Sequence, residues 1–134
     1  MALTSGESTD VKCRVLLAED DESIRRTLQS LLELKGYGVS IAENTDETIA
    51  ALTAQDFDLV ISDYLMPGGG GREILRFLNE RERRPAVIMI TGLADEQLFE
   101  ELVDQGVDRC LSKPFRLATL LLTIEEIMKA RAGG

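Results

Sequence analysis

Four acidic side chains closely follow two short apolar segments of this sequence. Three of them, Glu19, Asp20 and Asp21, are consecutive and follow the first segment, and Asp63 follows the second. Two like charges about 4 Å apart at an effective dielectric near 20 repel by about 4 kcal/mol, so a cluster of such groups requires a cation or shared protons. Mg²⁺ is the natural cation, because it is a hard ion that binds through one or two carboxylates together with phosphate oxygens.

Two further polar groups follow apolar segments later in the chain, the hydroxyl of Thr91 and the ammonium of Lys113. A metal held by carboxylates, a lysine charge and a hydroxyl donor are the groups needed to position and neutralise a phosphoryl group during transfer. Asp63 is then the nucleophile and forms an acyl phosphate. The chain has no histidine, which excludes Ser–His and Cys–His nucleophile pairs.

Each of these residues also has a structural explanation. The acidic triplet could complement the dipole at the start of a helix, and Asp63 could be a turn residue before Met66 and Pro67. Thr91 could cap a helix, and Lys113 could be a solvated loop residue. A common site explains all four positions at once, whereas the structural explanations must coincide at four separate strand ends.

The segments that position these groups alternate between strand-like and helix-like patterns, five times over. The apolar runs at 15–18, 39–42, 59–61, 87–90 and 109–112 predict strands. Each is followed by apolar residues at helical spacing, for example Ile24, Leu28, Leu31 and Leu32 before Gly36. Asn44 with Glu47 resembles a capping box at the start of the second helix.

This alternation predicts an α/β fold, a (βα)5 doubly wound parallel sheet of five strands with helices on both faces. The first, third and fourth strands are the most apolar and belong in the centre, while the second and fifth belong at the edges. The order 2-1-3-4-5 satisfies this pattern. Its topological switch point lies between strands one and three, where ligands of open α/β sheets bind at the carboxyl ends of the strands.

Composition narrows the functional classes. The formal net charge of -9 repels phosphate backbones and anionic lipid headgroups, so we expect neither direct nucleic-acid binding nor membrane binding. The sequence contains no apolar run typical of a secretory signal or a membrane span, which favours the cytoplasm.

Cys13 and Cys110 lack the spacing of a zinc site or a disulfide framework, and we expect buried thiols. We predict a flexible arm at 1–12, one domain at 13–130, and a tail or linker at 131–134.

Four short motifs occur in order at the predicted strand ends. They read Glu19-Asp20, Asp63-Tyr64-Leu65-Met66-Pro67-Gly68, Thr91-Gly92 and Lys113-Pro114-Phe115. In these motifs the sequence resembles the response regulator receiver family, over roughly residues 14–130. That family has an acidic pair after strand one, Asp-x-x-Met-Pro-Gly after strand three, Thr with Gly or Ala after strand four, and Lys-Pro-Phe after strand five. The resemblance also implies the flavodoxin-like receiver fold.

The resemblance implies that Asp63 accepts a phosphoryl group in a Mg²⁺-dependent reaction. Lys113 would pair with the phosphoryl oxygens, and Thr91 would move its hydroxyl onto the phosphate. The implied metal ligands are Glu19 (through water), Asp20, Asp63 and the backbone carbonyl of Leu65. The peptide bond between Lys113 and Pro114 is expected to be cis, an isomer that proline permits at small cost.

The resemblance further implies partners and a switch. The phosphoryl group would come from a separate histidine kinase or histidine phosphotransfer protein. Movement of Thr91 would repack the surface of helix four, strand five and helix five. A protein partner, a tethered output domain or a second copy of the chain would bind this surface. Three residues before Lys113, at the switch position, the family usually carries Tyr or Phe. This chain has Cys110 there, so the aromatic part of that switch cannot operate.

Two other functions compete with a phospho-accepting signalling domain. An aspartate-nucleophile phosphohydrolase usually carries Asp-x-Asp after strand one and a cap domain, whereas this chain has Asp20-Asp21-Glu22 there. A receiver-like interaction module that is never phosphorylated is weakened by the presence of every acceptor-site residue. We therefore expect no enzyme beyond self-phosphorylation from small acyl phosphates and loss of the phosphoryl group.

Overall fold

The computed structural model describes residues 13–93 and 95–133, and the predicted arm at 1–12 lies outside them. The strands are β1 (Arg14–Ala18), β2 (Gly38–Ala42), β3 (Leu59–Asp63), β4 (Ala86–Thr91) and β5 (Arg109–Ser112). The helices are α1 (Glu22–Leu34), α2 (Thr45–Ala54), α3 (Gly70–Asn79), α4 (Glu96–Asp104) and α5 (Leu117–Gly133). Strands and helices alternate along the chain, which confirms the predicted (βα)5 pattern.

The strands form one parallel sheet in the order β2-β1-β3-β4-β5, as predicted. Every residue of β3 and β4 is buried, and Arg14 is the one exposed residue of β1. The edge strands β2 and β5 carry partly exposed residues. The most apolar strands occupy the centre because helices cover them on both faces. The carboxyl ends of β1 and β3 are therefore neighbours at the switch point.

Successive strand residues point to opposite faces of the sheet and build two cores. Leu16 packs in a cluster with Leu75 of α3 on one face. Its neighbour Leu17 packs in a second cluster with Leu28 of α1 and Leu120 of α5. The central strands are thus held from both sides, which fixes the side chains at their ends. None of the helices in the described part of the chain has the length and apolar character of a membrane-spanning segment.

Three helices are each preceded by a capping residue, whose side chain accepts a hydrogen bond from a backbone N–H two or three positions later. Asp21 caps α1 and Asn44 caps α2, at 2.9 and 2.8 Å. Asp95 caps α4 at 2.9 Å. Of the acidic triplet, Asp21 thus lies at the start of a helix and has a structural role there. The capping explanation of Thr91 is wrong, because Asp95 caps α4.

The last helix extends beyond the predicted end of the domain at residue 130. α5 continues through Gly133, and Arg131 Nη2 donates a hydrogen bond to Arg84 O at 2.8 Å. Residues 131–133 are therefore helical and residue 134 lies outside the described part, so the tail or linker at 131–134 stays a prediction. No helix-stop residue lies between Met128 and Gly133, so the sequence pattern alone could not set this boundary.

The glycine-rich connection after β3 is held by the first residue of α2. Thr45 is buried, and its Oγ1 accepts a hydrogen bond from Gly70 N at 2.8 Å. Thr45 N donates to Pro67 O at 3.1 Å. Gly68, Gly69 and Gly70 have φ values of 94°, 108° and 65°, a region that other residues rarely adopt. The glycines allow this turn, and Thr45 anchors it beside the end of β3.

Replacement of Thr45 by Val tests this anchor. The substitution preserves the shape of the side chain but leaves the buried Gly70 N–H without its acceptor. We expect Thr45→Val to lower the free energy of unfolding by about 1–3 kcal/mol in urea denaturation. The matched control is Thr53→Val, because Thr53 is exposed and its hydroxyl bonds only within its own helix, so the expected change is below about 0.5 kcal/mol. Equal losses in the two variants would contradict the assignment.

Candidate functional site

Three carboxylates meet where β1 and β3 end. One carboxylate oxygen from each of Glu19, Asp20 and Asp63 lies within 4.8 Å of the others. Glu19 and Asp63 are 2% and 7% exposed, whereas Asp20 is exposed to solvent. The cluster forms because β1 and β3 are parallel neighbours, so the residues at their carboxyl ends lie at the same edge of the sheet. The structure thus brings together the acidic residues that the sequence singled out, apart from the capping residue Asp21.

Lys113 reaches this cluster from the end of β5. Its Nζ donates a hydrogen bond to Asp63 Oδ2 at 2.8 Å and lies 3.7 Å from Glu19 Oε1. Burial lowers the pKa of Lys113, but the hydrogen bond to Asp63 and the attraction of Asp63 and Glu19 outweigh it, and the net pKa is raised. Lys113 therefore remains an ammonium at neutral pH. The peptide bond to Pro114 is cis, as the family resemblance implied.

Thr91 ends β4 at the same edge of the sheet. Its side chain is buried, and Oγ1 accepts a hydrogen bond from Leu93 N at 3.0 Å. Thr91 O also accepts a hydrogen bond from Lys113 N at 2.8 Å, which ties the ends of β4 and β5 together. The threonine is therefore next to the strand that carries Asp63, but its hydroxyl is engaged with its own loop in this conformation.

The remaining residues singled out by the sequence lie around this edge. Leu65 is 60% exposed, on the loop that follows β3. The metal-binding role of the Leu65 carbonyl stays a prediction. Cys110 is half-buried on β5 and packs against one core, and burial raises the pKa of its thiol. It is thus a neutral thiol at the position where the family usually carries an aromatic ring.

The pKa of Glu19 reflects both its burial and its charged neighbours. Burial raises the pKa of Glu19 to about 7, and the charge of Asp63 adds to the increase. A hydrogen bond from Asp21 N to Glu19 Oε2, 3.0 Å long, and the charge of Lys113 act in the opposite direction. Oxygen ligands of this type suit Mg²⁺ or another hard divalent ion, which would favour the ionised form of Glu19.

Sequence reasoning missed Arg25, which lies beneath the site. Its side chain is buried, and Nη1 donates to the backbone oxygen of Glu19 at 3.0 Å. Arg25, Leu28 and Leu32 share one face of α1, because they are three and four residues apart. A charged residue on an otherwise apolar helix face was the signal that could have identified it.

Comparison with known proteins identifies the family. The family model described as "Response regulator receiver domain" matches residues 15–125, from β1 into α5. The chain belongs to this family. Receiver domains of response regulators are signalling domains of two-component systems that interact with histidine kinases and output domains.

Two curated relatives differ in how much of their length this receiver domain spans. The response regulator receiver protein CpdR of Brucella abortus is 35% identical over 117 residues, which cover 87% of this chain and 98% of that protein. The transcriptional regulatory protein ResD of Bacillus subtilis is 32% identical over 116 residues, which cover 87% of this chain and 48% of ResD. The chain thus spans nearly all of one relative and about half of the other.

Solved receiver structures agree with the fold described above. A CheY-like receiver domain protein from Methanospirillum hungatei has a TM-score of 0.82 at 29% identity, over 90% of this chain and 96% of that one. A response regulator from Burkholderia pseudomallei, solved with a phosphorylated aspartic acid, a calcium ion and citrate, has a TM-score of 0.74 at 25% identity. That match covers 89% of this chain and 72% of the other. The flavodoxin-like receiver fold is confirmed.

The pKa of Glu19 predicts how the stability of the metal-free receiver domain depends on pH. The folded-state pKa of about 7 lies above the ordinary value of 4.5, so the folded state holds a proton that the unfolded state lacks. This contribution to stability is complete below the ordinary pKa and is lost as the pH rises through 7. Relative to Glu19→Gln, the wild type should lose on the order of 1 kcal/mol between about pH 6 and pH 8.

Urea denaturation in EDTA at the two pH values measures this difference. The Gln variant is the matched reference because its amide oxygen can still accept the hydrogen bond from Asp21 N. Identical pH dependence in the two proteins would contradict the assigned pKa.

Proposed function

We propose that this receiver domain accepts a phosphoryl group on Asp63 from a histidine kinase or a histidine phosphotransfer protein, in a Mg²⁺-dependent reaction. The observation that carries the proposal is the 2.8 Å contact between Lys113 Nζ and Asp63 Oδ2 inside a cluster of three carboxylates. A lysine that already contacts the acceptor carboxylate is in position to pair with the incoming phosphoryl oxygens. The acceptor is 7% exposed, so only a small group can reach it from the open edge of the sheet.

The transfer follows from the chemistry of a carboxylate nucleophile. An ionised oxygen of Asp63 attacks phosphorus, and the bond from phosphorus to the imidazole nitrogen of the donor breaks. The donor histidine keeps the bonding electrons and takes up a proton from its surroundings, and Asp63 becomes an acyl phosphate. Lys113, which the surrounding carboxylates keep protonated, neutralises charge on the transferred group.

The acidic residues have the donor atoms for a metal. Glu19, Asp20 and Asp63 offer carboxylate oxygens close to one another, and the backbone carbonyl of Leu65 completes the proposed protein ligands. A bound Mg²⁺ supplies positive charge against the phosphoryl oxygens. Asp63 would serve both as a ligand and as the nucleophile, so loss of its carboxylate should remove both roles.

The proposed signal passes through Thr91. Its hydroxyl now accepts a hydrogen bond from Leu93 N, and on phosphorylation it would turn towards the phosphoryl group. That movement would repack α4, β5 and α5, the surface that a protein partner, a tethered output domain or a second copy of the chain would contact. Cys110 on β5 would move with this surface in place of an aromatic ring. We place the protein in the cytoplasm, with its histidine donor.

Three relatives support this proposal. The structure of the Burkholderia pseudomallei response regulator contains a phosphorylated aspartic acid together with a calcium ion, so a related fold accommodates both groups. The spans shared with CpdR and ResD are compatible with two outputs, contact with another protein or action through a further domain.

Intact-mass spectrometry tests the acceptor directly. After incubation with acetyl phosphate and Mg²⁺, the wild type should gain the mass of one phosphoryl group, and hydroxylamine should remove it because acyl phosphates react with this nucleophile. Asp63→Asn should show no gain, whereas Asp56→Asn, an exposed aspartate, should behave like the wild type. A gain that persists in Asp63→Asn would exclude Asp63 as the acceptor.

A further inference from the structure

The buried arginine beneath the acidic cluster has no role in the function described so far. We propose that Arg25 is a positioning residue for the metal-binding carboxylates, because its guanidinium fixes the peptide that links Glu19 to Asp20. The inference rests on the proposed function, since it concerns the same metal site. It goes further by assigning a part of that site's affinity to a residue that contacts neither metal nor phosphate.

The contact lies at the point where β1 ends and the chain turns into α1. Arg25 Nη1 donates a hydrogen bond to Glu19 O at 3.0 Å, and Arg25 as a whole is 7% exposed. The carbonyl of Glu19 and the N–H of Asp20 belong to the same planar peptide unit. A fixed carbonyl therefore fixes the direction in which the backbone enters Asp20, whose carboxylate belongs to the cluster.

The other polar groups of Glu19 are also held. Glu19 N donates a hydrogen bond to Ala42 O at 3.0 Å, and Glu19 Oε2 accepts one from Asp21 N at 3.0 Å. The bond from Arg25 is the contact that determines the orientation of the following peptide. Without it, that peptide plane can rotate while both other bonds persist, and the distance between the carboxylates of Glu19 and Asp20 can change.

Stability alone gives a weak reason for an arginine at this position. Its Nε atom is buried and has no hydrogen-bond partner among the described residues. Its ion pair with Glu43 is 3.9 Å long, and the Glu43 side chain is 58% exposed, so solvent screens the attraction. Replacement of a buried, incompletely paired charge by an apolar side chain of similar size is often neutral or stabilising. The ordered peptide at Glu19 is the specific consequence that an apolar replacement would lose.

The test compares Arg25→Met, Arg25→Lys and Arg26→Met with the wild type. Met fills similar space without a donor, and Lys retains the charge and a donor. Arg26 is the matched control, because it is the adjacent residue of α1, is 76% exposed and pairs with Glu22 rather than with the site. Three quantities are measured: the Mg²⁺ dissociation constant by calorimetry, the melting temperature in EDTA, and the hydrogen-exchange protection of the Asp20 and Asp21 amides in EDTA.

We expect Arg25→Met to bind Mg²⁺ roughly 10–100-fold more weakly, the range seen when groups that orient metal ligands are removed. Its metal-free melting temperature should change little, because the cost of the lost hydrogen bond to Glu19 O is offset by removal of a buried, incompletely paired charge. Its Asp20 and Asp21 amides should exchange faster. Arg25→Lys should recover part of the affinity, and Arg26→Met should match the wild type in all three measurements. The exchange measurement reports the positioning role without any metal.

Wild-type Mg²⁺ affinity in Arg25→Met would overturn the inference. So would a loss of affinity accompanied by a lower metal-free melting temperature and unchanged amide exchange, since that pattern indicates a general structural role. If Arg25→Met does not fold, Arg25→Leu takes its place under the same criteria, because leucine also lacks a donor. A wild-type protein that fails to bind Mg²⁺ would instead reject the proposed function, so the two failures are distinguishable.

Discussion

Electrostatic repulsion among three carboxylates at one edge of a parallel sheet is the interaction on which the chemistry of this receiver domain depends. Glu19, Asp20 and Asp63 lie close together because β1 and β3 are adjacent and both are packed from above and below. Lys113 offsets part of the negative charge through its 2.8 Å contact with Asp63. The rest is relieved by a proton on Glu19 below about pH 7 or, in our proposal, by a divalent ion.

The same repulsion links stability to function. A buried carboxylate whose pKa is raised costs folding free energy whenever it is ionised, and a metal ion recovers that energy only if the ligands are already in place. Fixed ligands require fixed backbone, which here comes from the packed central strands, from the cap of α1 at Asp21 and from the arginine beneath Glu19. The rigid scaffold thus maintains a site that is electrostatically unfavourable on its own.

The sequence predicted the parts of the structure that follow from local pattern. The apolar runs of β1, β3 and β4 were sufficient for the strand order, and the strand order was sufficient to bring Asp63 next to the acidic triplet. Pattern could not divide the triplet between Asp21, which caps a helix, and its two neighbours, because all three are acidic residues in the same turn. That division depends on how the chain leaves β1, a property of the three-dimensional backbone.

Two further features lay beyond sequence reasoning for the same reason. The hydrogen bond from Gly70 N to Thr45 Oγ1 joins residues 25 positions apart, and nothing in either local pattern indicates the partner. The apolar face of α1 could have indicated that Arg25 is buried, but its partner Glu19 O depends on the path that the long side chain takes in the folded protein. The structure therefore adds the specific polar contacts between side chains and backbone groups near the site.

Mg²⁺ titration of the wild type, Asp20→Asn and Asp21→Asn, followed by calorimetry at neutral pH, tests the central claim most directly. The two variants lose the same charge at adjacent positions, but only Asp20 belongs to the cluster, and asparagine at residue 21 can still cap α1. We expect the wild type and Asp21→Asn to bind one Mg²⁺ per chain, and Asp20→Asn to bind Mg²⁺ much more weakly. Equal affinity in the two variants, or a wild type that does not bind Mg²⁺, would contradict it.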